Sequence, residues 1–344
     1  MEFGVFRLRL VPPSARAASL GPRRLIVLGL VTLTTLAAGC ASPKTSFTSP
    51  KSSVQGTAAD LGDRTWGIAC LSVASARRLP DHKSELDTQV WMGGVVQVLR
   101  SNTNNLWYFV QTADGYSAWL ERGTFVRCTR DEVVAWTNSP LMIVTTFEDI
   151  ILERPEAEAQ PISDVVVADL VKPLTRQGDW VQVELPDGRA GFLPAKSVQD
   201  YREWSSRRQP TADNIERTAR SFMGRPYLWG GDSPKGFDCS GFTRLVFFLN
   251  GIGLHHNAAQ QSHQGIPVPL DHGLSQVRKG DLLFFGRPAQ DRQPERIFHV
   301  GIYLGDKLFI QASERVQISS LDPASPIRDE HRIRTLLSAR RIIP

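Results

Sequence analysis

Polar and apolar residues alternate with a period of two through much of the segment 63–205, and turn residues break the alternation at short intervals. From Trp107 to Leu120 the chain reads W-Y-F-V-Q-T-A-D-G-Y-S-A-W-L, and from Trp180 to Leu193 it reads W-V-Q-V-E-L-P-D-G-R-A-G-F-L. Each stretch is an alternating strand, an Asp-Gly turn and a second aromatic strand. That is a hairpin pattern, because glycine supplies the positive φ a tight turn needs. Trp107 and Trp180, Asp114 and Asp187, Gly115 and Gly188, Trp119 and Phe192, Leu120 and Leu193 all stand 73 positions apart. A constant offset across five positions predicts an internal repeat rather than two unrelated hairpins. Further short strands are expected at Val95–Leu99, Leu141–Thr145 and Val165–Ala168, which gives two all-β domains over 63–145 and 146–205.

From Pro210 the pattern changes. Thr211 can cap a helix whose apolar face is Ala212, Ile215, Ala219 and Phe222, and Gly224 and Pro226 stop it. A second helix is expected from Cys239 to Leu249, with Phe242, Leu245, Val246 and Leu249 on one face and Gly251 at its end. Strands follow at Asp281–Phe285, His299–Leu304, Lys307–Gln311 and Arg334–Ile343. Helices first and antiparallel strands after predict an α+β domain over 206–344.

Charge changes the picture at the start of the chain. Of 40 Lys and Arg against 35 Asp and Glu, five Arg and only one acid, Glu2, precede residue 40, so the remainder carries about +1. The basic excess belongs to the leader and gives no reason to expect a nucleic-acid partner. Arg23-Arg24 precede an uncharged run from Leu25 to Ala38, too short to span a bilayer as a helix but suited to a signal peptide over 1–39. It ends Leu36-Ala37-Ala38-Gly39-Cys40, which resembles a lipobox, with Cys40 as the lipidated mature N-terminus and the membrane as its partner. Ala41 after the cysteine favours outer-membrane sorting. The expected location is the cell envelope, lipid-anchored, in the periplasm or at the outer membrane. Residues 40–62, rich in Ser, Thr, Pro, Gly and Ala, read as a flexible tether. Export implies an oxidising compartment. Cys70, Cys128 and Cys239 remain, with no Cys-x-x-Cys pair and no zinc-type spacing, so no metal or cofactor is expected. Cys70 and Cys128 fall near the two ends of the first β domain, and a disulfide between them would leave Cys239 as the reduced thiol.

Four segments of the last domain carry candidate chemistry: Arg225-Pro226-Tyr227-Leu228-Trp229-Gly230-Gly231, Asp238-Cys239-Ser240-Gly241, Gly280–Phe285 and His299–Leu304. Cys239 opens an amphipathic helix, where unpaired N–H groups and the helix dipole favour a thiolate. Its polar flanks argue against an apolar burial site. A thiol nucleophile needs a proton partner, and His299 opens an apolar strand beside the small Gly301.

In that order, the four segments resemble the NlpC-type cell-wall cysteine peptidases, which have a compact papain-like fold. The aromatic-strand, D-G, W-L hairpins resemble bacterial SH3-like domains. The expected fold is therefore multidomain: two all-β SH3-like barrels followed by an α+β papain-like domain. The resemblance implies Cys239 as nucleophile, His299 as base and, 12 residues on, Gln311 as the third group that orients the imidazole. It implies Tyr227 near the oxyanion, and Asp238, Ser240 and Tyr116 around the free amine of a stem peptide. Asp238 can equally be a helix N-cap, and Trp229 is expected to pack rather than to meet substrate. The family's amine-binding glutamate has no counterpart: its position falls at Gly94 in Trp91-Met92-Gly93-Gly94-Val95, which leaves Asp238 or a neighbour such as Glu85. The implied function is hydrolysis of the γ-D-glutamyl–diamino acid bond in murein stem peptides by a monomer. The alternatives are an inactive wall-binding lipoprotein, or an endopeptidase or amidase acting on intact murein.

Overall fold

The computed structural model describes Arg9–Leu10 and residues 61–290 and 293–343. The apolar run of the leader, Cys40 and the tether up to residue 60 lie outside the described residues.

The first β domain has strands β1 (Trp66–Ala69), β2 (Val73–Arg77), β3 (Leu86–Trp91), β4 (Val95–Ser101), β5 (Trp107–Thr112), β6 (Ser117–Glu121) and β7 (Phe125–Cys128). Helix α1 (Arg130–Asn138) follows, and the second β domain then has β8 (Met142–Val144), β9 (Glu148–Leu152), β10 (Pro161–Val166), β11 (Leu170–Gln177), β12 (Trp180–Glu184), β13 (Ala190–Pro194) and β14 (Val198–Asp200). The strand order is β3-β2-β6-β5-β4-β1-β7 in the first sheet and β10-β9-β13-β12-β11-β8-β14 in the second. The second order is the first shifted by seven strands, so the 73-residue repeat is a repeat of topology. Leu120 and Leu193, equivalent in the repeat, are both fully buried in the separate cores of their domains, each worth about 1.5–3 kcal/mol of burial.

The boundary between the β domains differs from the expected one. Strand β8 pairs with β11 and β14 of the second sheet, so the second domain begins before residue 146. Helix α1 separates the two, held at its start by a capping box between Thr129 and Glu132.

The expected Cys70–Cys128 disulfide is absent, and both thiols are free and buried. Register explains it. In the β1–β7 pair, Cys128 stands opposite Trp66, while Cys70 follows Ala69 at the far end. Four residues of strand separate them by roughly 13 Å, beyond the span of a disulfide.

The C-terminal domain places α3 (Ala212–Ser221), after the short α2 (Tyr201–Ser206), beside α4 (Cys239–Phe248). Its strands include the β15 (Asp232–Ser233) and β16 (Gly236–Phe237) hairpin before α4, and the short helix α5 (Ala258–Gln261) follows α4. A six-stranded antiparallel sheet comes next: β17 (Ile266–Val268), β18 (Leu282–Arg287), β19 (Arg296–Gly305), β20 (Leu308–Ser313), β21 (Arg315–Ser320) and β22 (Leu336–Arg341), in the order β17-β22-β18-β19-β20-β21. The apolar face of α4 is fully buried, with Phe242, Leu245 and Val246 in one core with Val300, Ile302 and Ile310 of β19 and β20. The strand expected over 334–343 forms as β22, and its first two expected residues instead end helix α6 (Glu330–Thr335), which Asp329 caps by accepting from the Arg332 N–H.

Candidate active site

Asp238 is the N-cap of α4. Its Oδ1 accepts from the Gly241 N–H at 2.7 Å and from the Ser240 hydroxyl at 2.8 Å, and its Oδ2 accepts from the Gly230 N–H at 3.1 Å. One carboxylate thus ties the start of the helix to the Trp229-Gly230-Gly231 turn. A Cβ at Gly241 would lie 2.1 Å from the Gly231 carbonyl oxygen, so the first turn of α4 reaches that turn only because residue 241 is glycine.

This close packing presses Cys239 against β19. The Val300 N–H, next in chain to His299, hydrogen-bonds toward the sulfur. Cys239 is 8% exposed and belongs to the apolar core, contrary to the expectation from its polar flanks. Burial pushes its thiol up to about 12 and the Asp238 charge adds to the rise, against lowering by the Val300 N–H and the Arg332 charge. Desolvation therefore works against the thiolate that the helix start favours.

His299 on β19 and Gln311 on β20 meet as the resemblance implied. The two strands pair at Ile302–Ile310, which brings the side chains together, and His299 Nε2 lies 2.6 Å from Gln311 Oε1. Both are buried. Burial holds the imidazole down at about 3, and the Arg332 charge lowers it further, while the bond to Gln311 works the other way. Burial thus works against both charged forms, the thiolate and the imidazolium. Gln311 Oε1 is an acceptor, so His299 donates from Nε2 and keeps the Nδ1 lone pair free for a proton.

Tyr227 is half-buried, and the pKa of its hydroxyl is raised by burial and by the charges of Cys239 and Asp238. It stays protonated and able to donate beside the thiol. Trp229 does not pack as expected: it is 61% exposed.

Residues 224–335 match the NlpC/P60 family, and residues 76–125 match the bacterial dipeptidyl-peptidase Sh3 domain. The chain carries an NlpC/P60 domain. It is 28% identical over 271 residues to dipeptidyl-peptidase 6 of Lysinibacillus sphaericus, covering 76% of this chain and 93% of that protein. It is also 28% identical to a gamma-D-glutamyl-L-lysine dipeptidyl-peptidase of Bacillus cereus, covering 76% of each chain. A crystal structure of an NlpC/P60 family protein from Bacillus cereus superposes with a TM-score of 0.67 at 25% identity, over 81% of this chain and 100% of that one.

The first SH3 domain closes one side of the NlpC/P60 site. The Trp91 indole N–H donates to the Asp232 carbonyl at 2.7 Å, and Gln89 Oε1 accepts from the Asp232 N–H at 2.8 Å. A small pocket between the two domains is lined by Asp87 and Thr88 from β3 and by Asp238, Ser240, Arg244 and His256 from the NlpC/P60 domain. Tyr116 reaches this pocket indirectly. Its hydroxyl, with a pKa raised by burial, also feels the nearby Asp87 charge, and its ring stacks on His256 at 3.7 Å. Asp114, in the same D-G-Y turn, lies 3.9 Å from Arg244 and 3.7 Å from His256 Nδ1, and Arg244 also pairs with Asp232.

Asp87 answers the question raised at Gly94. A Cβ at Gly94 would meet the Trp91 carbonyl oxygen at 2.8 Å and Val90 at 2.9 Å, so no side chain leaves the backbone there. Glu85 is exposed and pairs with Arg78. Asp87 sits on β3 seven residues before Gly94 and brings a carboxylate to the pocket that Asp238 also lines. The sequence offered one clue, the alternation of β3, which places Asp87 and Gln89 on one face.

Proposed function

We propose that the protein is a cysteine peptidase that hydrolyses the γ-D-glutamyl–diamino acid bond of murein stem peptides during cell-wall turnover, with Cys239, His299 and Gln311 as its catalytic triad. The observation that carries the chemistry is the 2.6 Å contact of His299 Nε2 with Gln311 Oε1, on two strands that share a core with the buried Cys239. The bond assignment draws on the relatives named for gamma-D-glutamyl-L-lysine dipeptidyl-peptidase activity.

Burial of both groups, which disfavours separated charge, sets the order of events. As Cys239 Sγ attacks the γ-carbonyl carbon, its proton passes to His299 Nδ1. Negative charge moves to the carbonyl oxygen, where the Cys239 backbone N–H and the Tyr227 hydroxyl are placed to donate. The C–N bond then breaks, and His299 gives its proton to the departing amine of the diamino acid. Water, deprotonated by His299, attacks the thioester, and Cys239 leaves with its proton restored. Asp87 and Asp238 place two carboxylates in one small pocket, a charge set that selects an ammonium group such as the free amine of a stem peptide's first residue. Lipidation at Cys40 would hold the enzyme in the cell envelope.

The test is incubation of the protein with L-Ala-γ-D-Glu-diaminopimelate, followed by mass spectrometry of the products. Release of L-Ala-D-Glu by the wild type and none by Cys239→Ala is the expected result. Equal turnover by both proteins, or digestion of intact sacculi with no cleavage of the free peptide, would reject the assignment.

A further inference from the structure

Gln311 poses a problem that a carboxylate in its place would not. An amide offers oxygen on one side and N–H groups on the other, and a neutral imidazole can pair with either by changing tautomer. With the amide reversed, His299 would accept at Nε2 and carry its proton on Nδ1. It would then have no lone pair for the Cys239 proton. Gln311 is fully buried, so water cannot correct a wrong orientation.

What settles the orientation comes from α6 and the residue that caps it. Gln311 Oε1 accepts from Arg332 Nε at 3.3 Å as well as from His299. Gln311 Nε2 donates to Ser319 Oγ at 2.9 Å and to Asp329 Oδ2 at 3.1 Å. All four hydrogen-bonding positions of the amide are filled. A guanidinium can only donate and a carboxylate can only accept. Reversal would set N–H groups against Arg332 and an oxygen against the Asp329 carboxylate. Both groups are themselves held in place. Asp329 Oδ1 accepts from the Arg332 N–H at 3.0 Å, and the Asp329 N–H donates to the Ser320 carbonyl at 2.9 Å. The Arg332 guanidinium lies over the Phe285 ring at 5.6 Å, and that ring in turn contacts His299 at 5.7 Å.

The geometry points to Arg332 and Asp329 as positioning residues that polarise the Gln311 amide and thereby fix His299 in the Nε2–H tautomer that Cys239 requires. The Arg332 charge also lowers both Cys239 and His299, so the same group favours a thiolate as it forms. The inference rests on the reading of Cys239, His299 and Gln311 as the catalytic set, but its direct readout needs no substrate.

Two-bond nitrogen–proton correlation spectra of protein labelled with 15N-histidine report the His299 tautomer. The wild type is expected to show the Nε2–H form alone, and Arg332→Lys, which keeps a donor-only cation, to retain it. Arg332→Met and Asp329→Asn are expected to show an admixture of the Nδ1–H form. Asparagine still caps a helix well, so Asp329→Asn decides the matter if Arg332→Met fails to fold. On the peptide substrate, kcat should fall about 10- to 100-fold with KM changed less than about twofold. The loss should stay below the ~10⁴-fold seen when every molecule of a hydrolase holds the wrong tautomer. A tautomer shift in a protein that never cleaves the peptide would uphold this inference while removing the substrate assignment. A purely Nε2–H His299 in both folded variants would overturn the inference.

Discussion

In the hairpin turn that the two β domains share, the first carries Asp114-Gly115-Tyr116 and the second Asp187-Gly188-Arg189. The strand orders match and so do the turns, yet the side chains face different tasks. Asp114 is nearly buried against Arg244 and His256, and Tyr116 stacks on His256 with its hydroxyl in the field of Asp87 at the pocket. Asp187 instead pairs with its own neighbour Arg189 at 2.7 Å, and Arg189 reaches back to the Cys70 carbonyl at 3.2 Å. The second domain meets the NlpC/P60 domain through the Phe147–Phe222 ring contact and through exposed ion pairs, Glu148 with Arg225 and Asp164 with Lys235. One copy of the repeat helps wall the pocket beside Asp238, and the other packs against the same domain elsewhere. The fold does not assign these roles; the residues at equivalent turn positions do.

Paired substitutions test how deep this division runs. The largest effect is expected for Asp114→Ala, which leaves Arg244 and His256 short of a buried anion. Stability should fall by about 3 kcal/mol, read as a denaturant midpoint, whereas Asp187→Ala should cost less than about 1 kcal/mol. Equal losses would erase the distinction.

Acid should expose the same asymmetry. Burial by itself would raise Asp114, but His256, the Arg244 charge and Thr112 hold it well below the usual carboxylate range. The unfolded carboxyl titrates near ~3.9. The stabilisation from its pairing is therefore complete above that pH and is lost as pH falls toward the depressed folded value. The stability gap between wild type and Asp114→Asn should be full at pH 7 and narrow below pH ~4, measured by thermal melts across that range. A gap that stays constant with pH would remove the ionic role.

A smaller effect is expected at Tyr116→Phe, which keeps the stack on His256 but removes the hydroxyl from the field of Asp87. A hydroxyl facing a charged group is worth up to about 1.5–3 kcal/mol, so kcat/KM on the stem peptide should fall by about 10- to 100-fold with little change in melting temperature. The smallest is Lys235→Ala in the exposed pair with Asp164, where a change within about 0.5 kcal/mol and unaltered activity are expected.

How much of this was legible in the sequence follows from range. The repeat, α3, α4 and the pairing of His299 with Gln311 rest on local periodicity or on motifs whose residues lie on one helix or on adjacent strands, so the chain displays them directly. Cys70 and Cys128 looked pairable because both lie near the ends of one domain, and only the β1–β7 register shows them four residues apart along the strands. Cys239 looked polar from its neighbours in sequence, yet its neighbours in space are the core of α4, β19 and β20. Asp329 and Arg332 were not legible at all, and Asp87 only through the alternation of β3. Asp87 works across a domain boundary, and the other two belong to a six-residue helix and its cap, just ahead of the expected strand, for which no helix was expected.

The central claim is that the first SH3 domain makes Cys239 selective for peptides with a free N-terminus, through Asp87. It is tested most directly by measuring kcat/KM for L-Ala-γ-D-Glu-diaminopimelate and its N-acetylated form, with wild type and Asp87→Asn. The wild type should prefer the free amine by about 100-fold or more, the scale of one desolvated charge pair, and Asp87→Asn should lose most of that preference while still turning over the acetylated peptide at the wild-type rate. Equal preference in both proteins, or no preference in the wild type, would contradict the account.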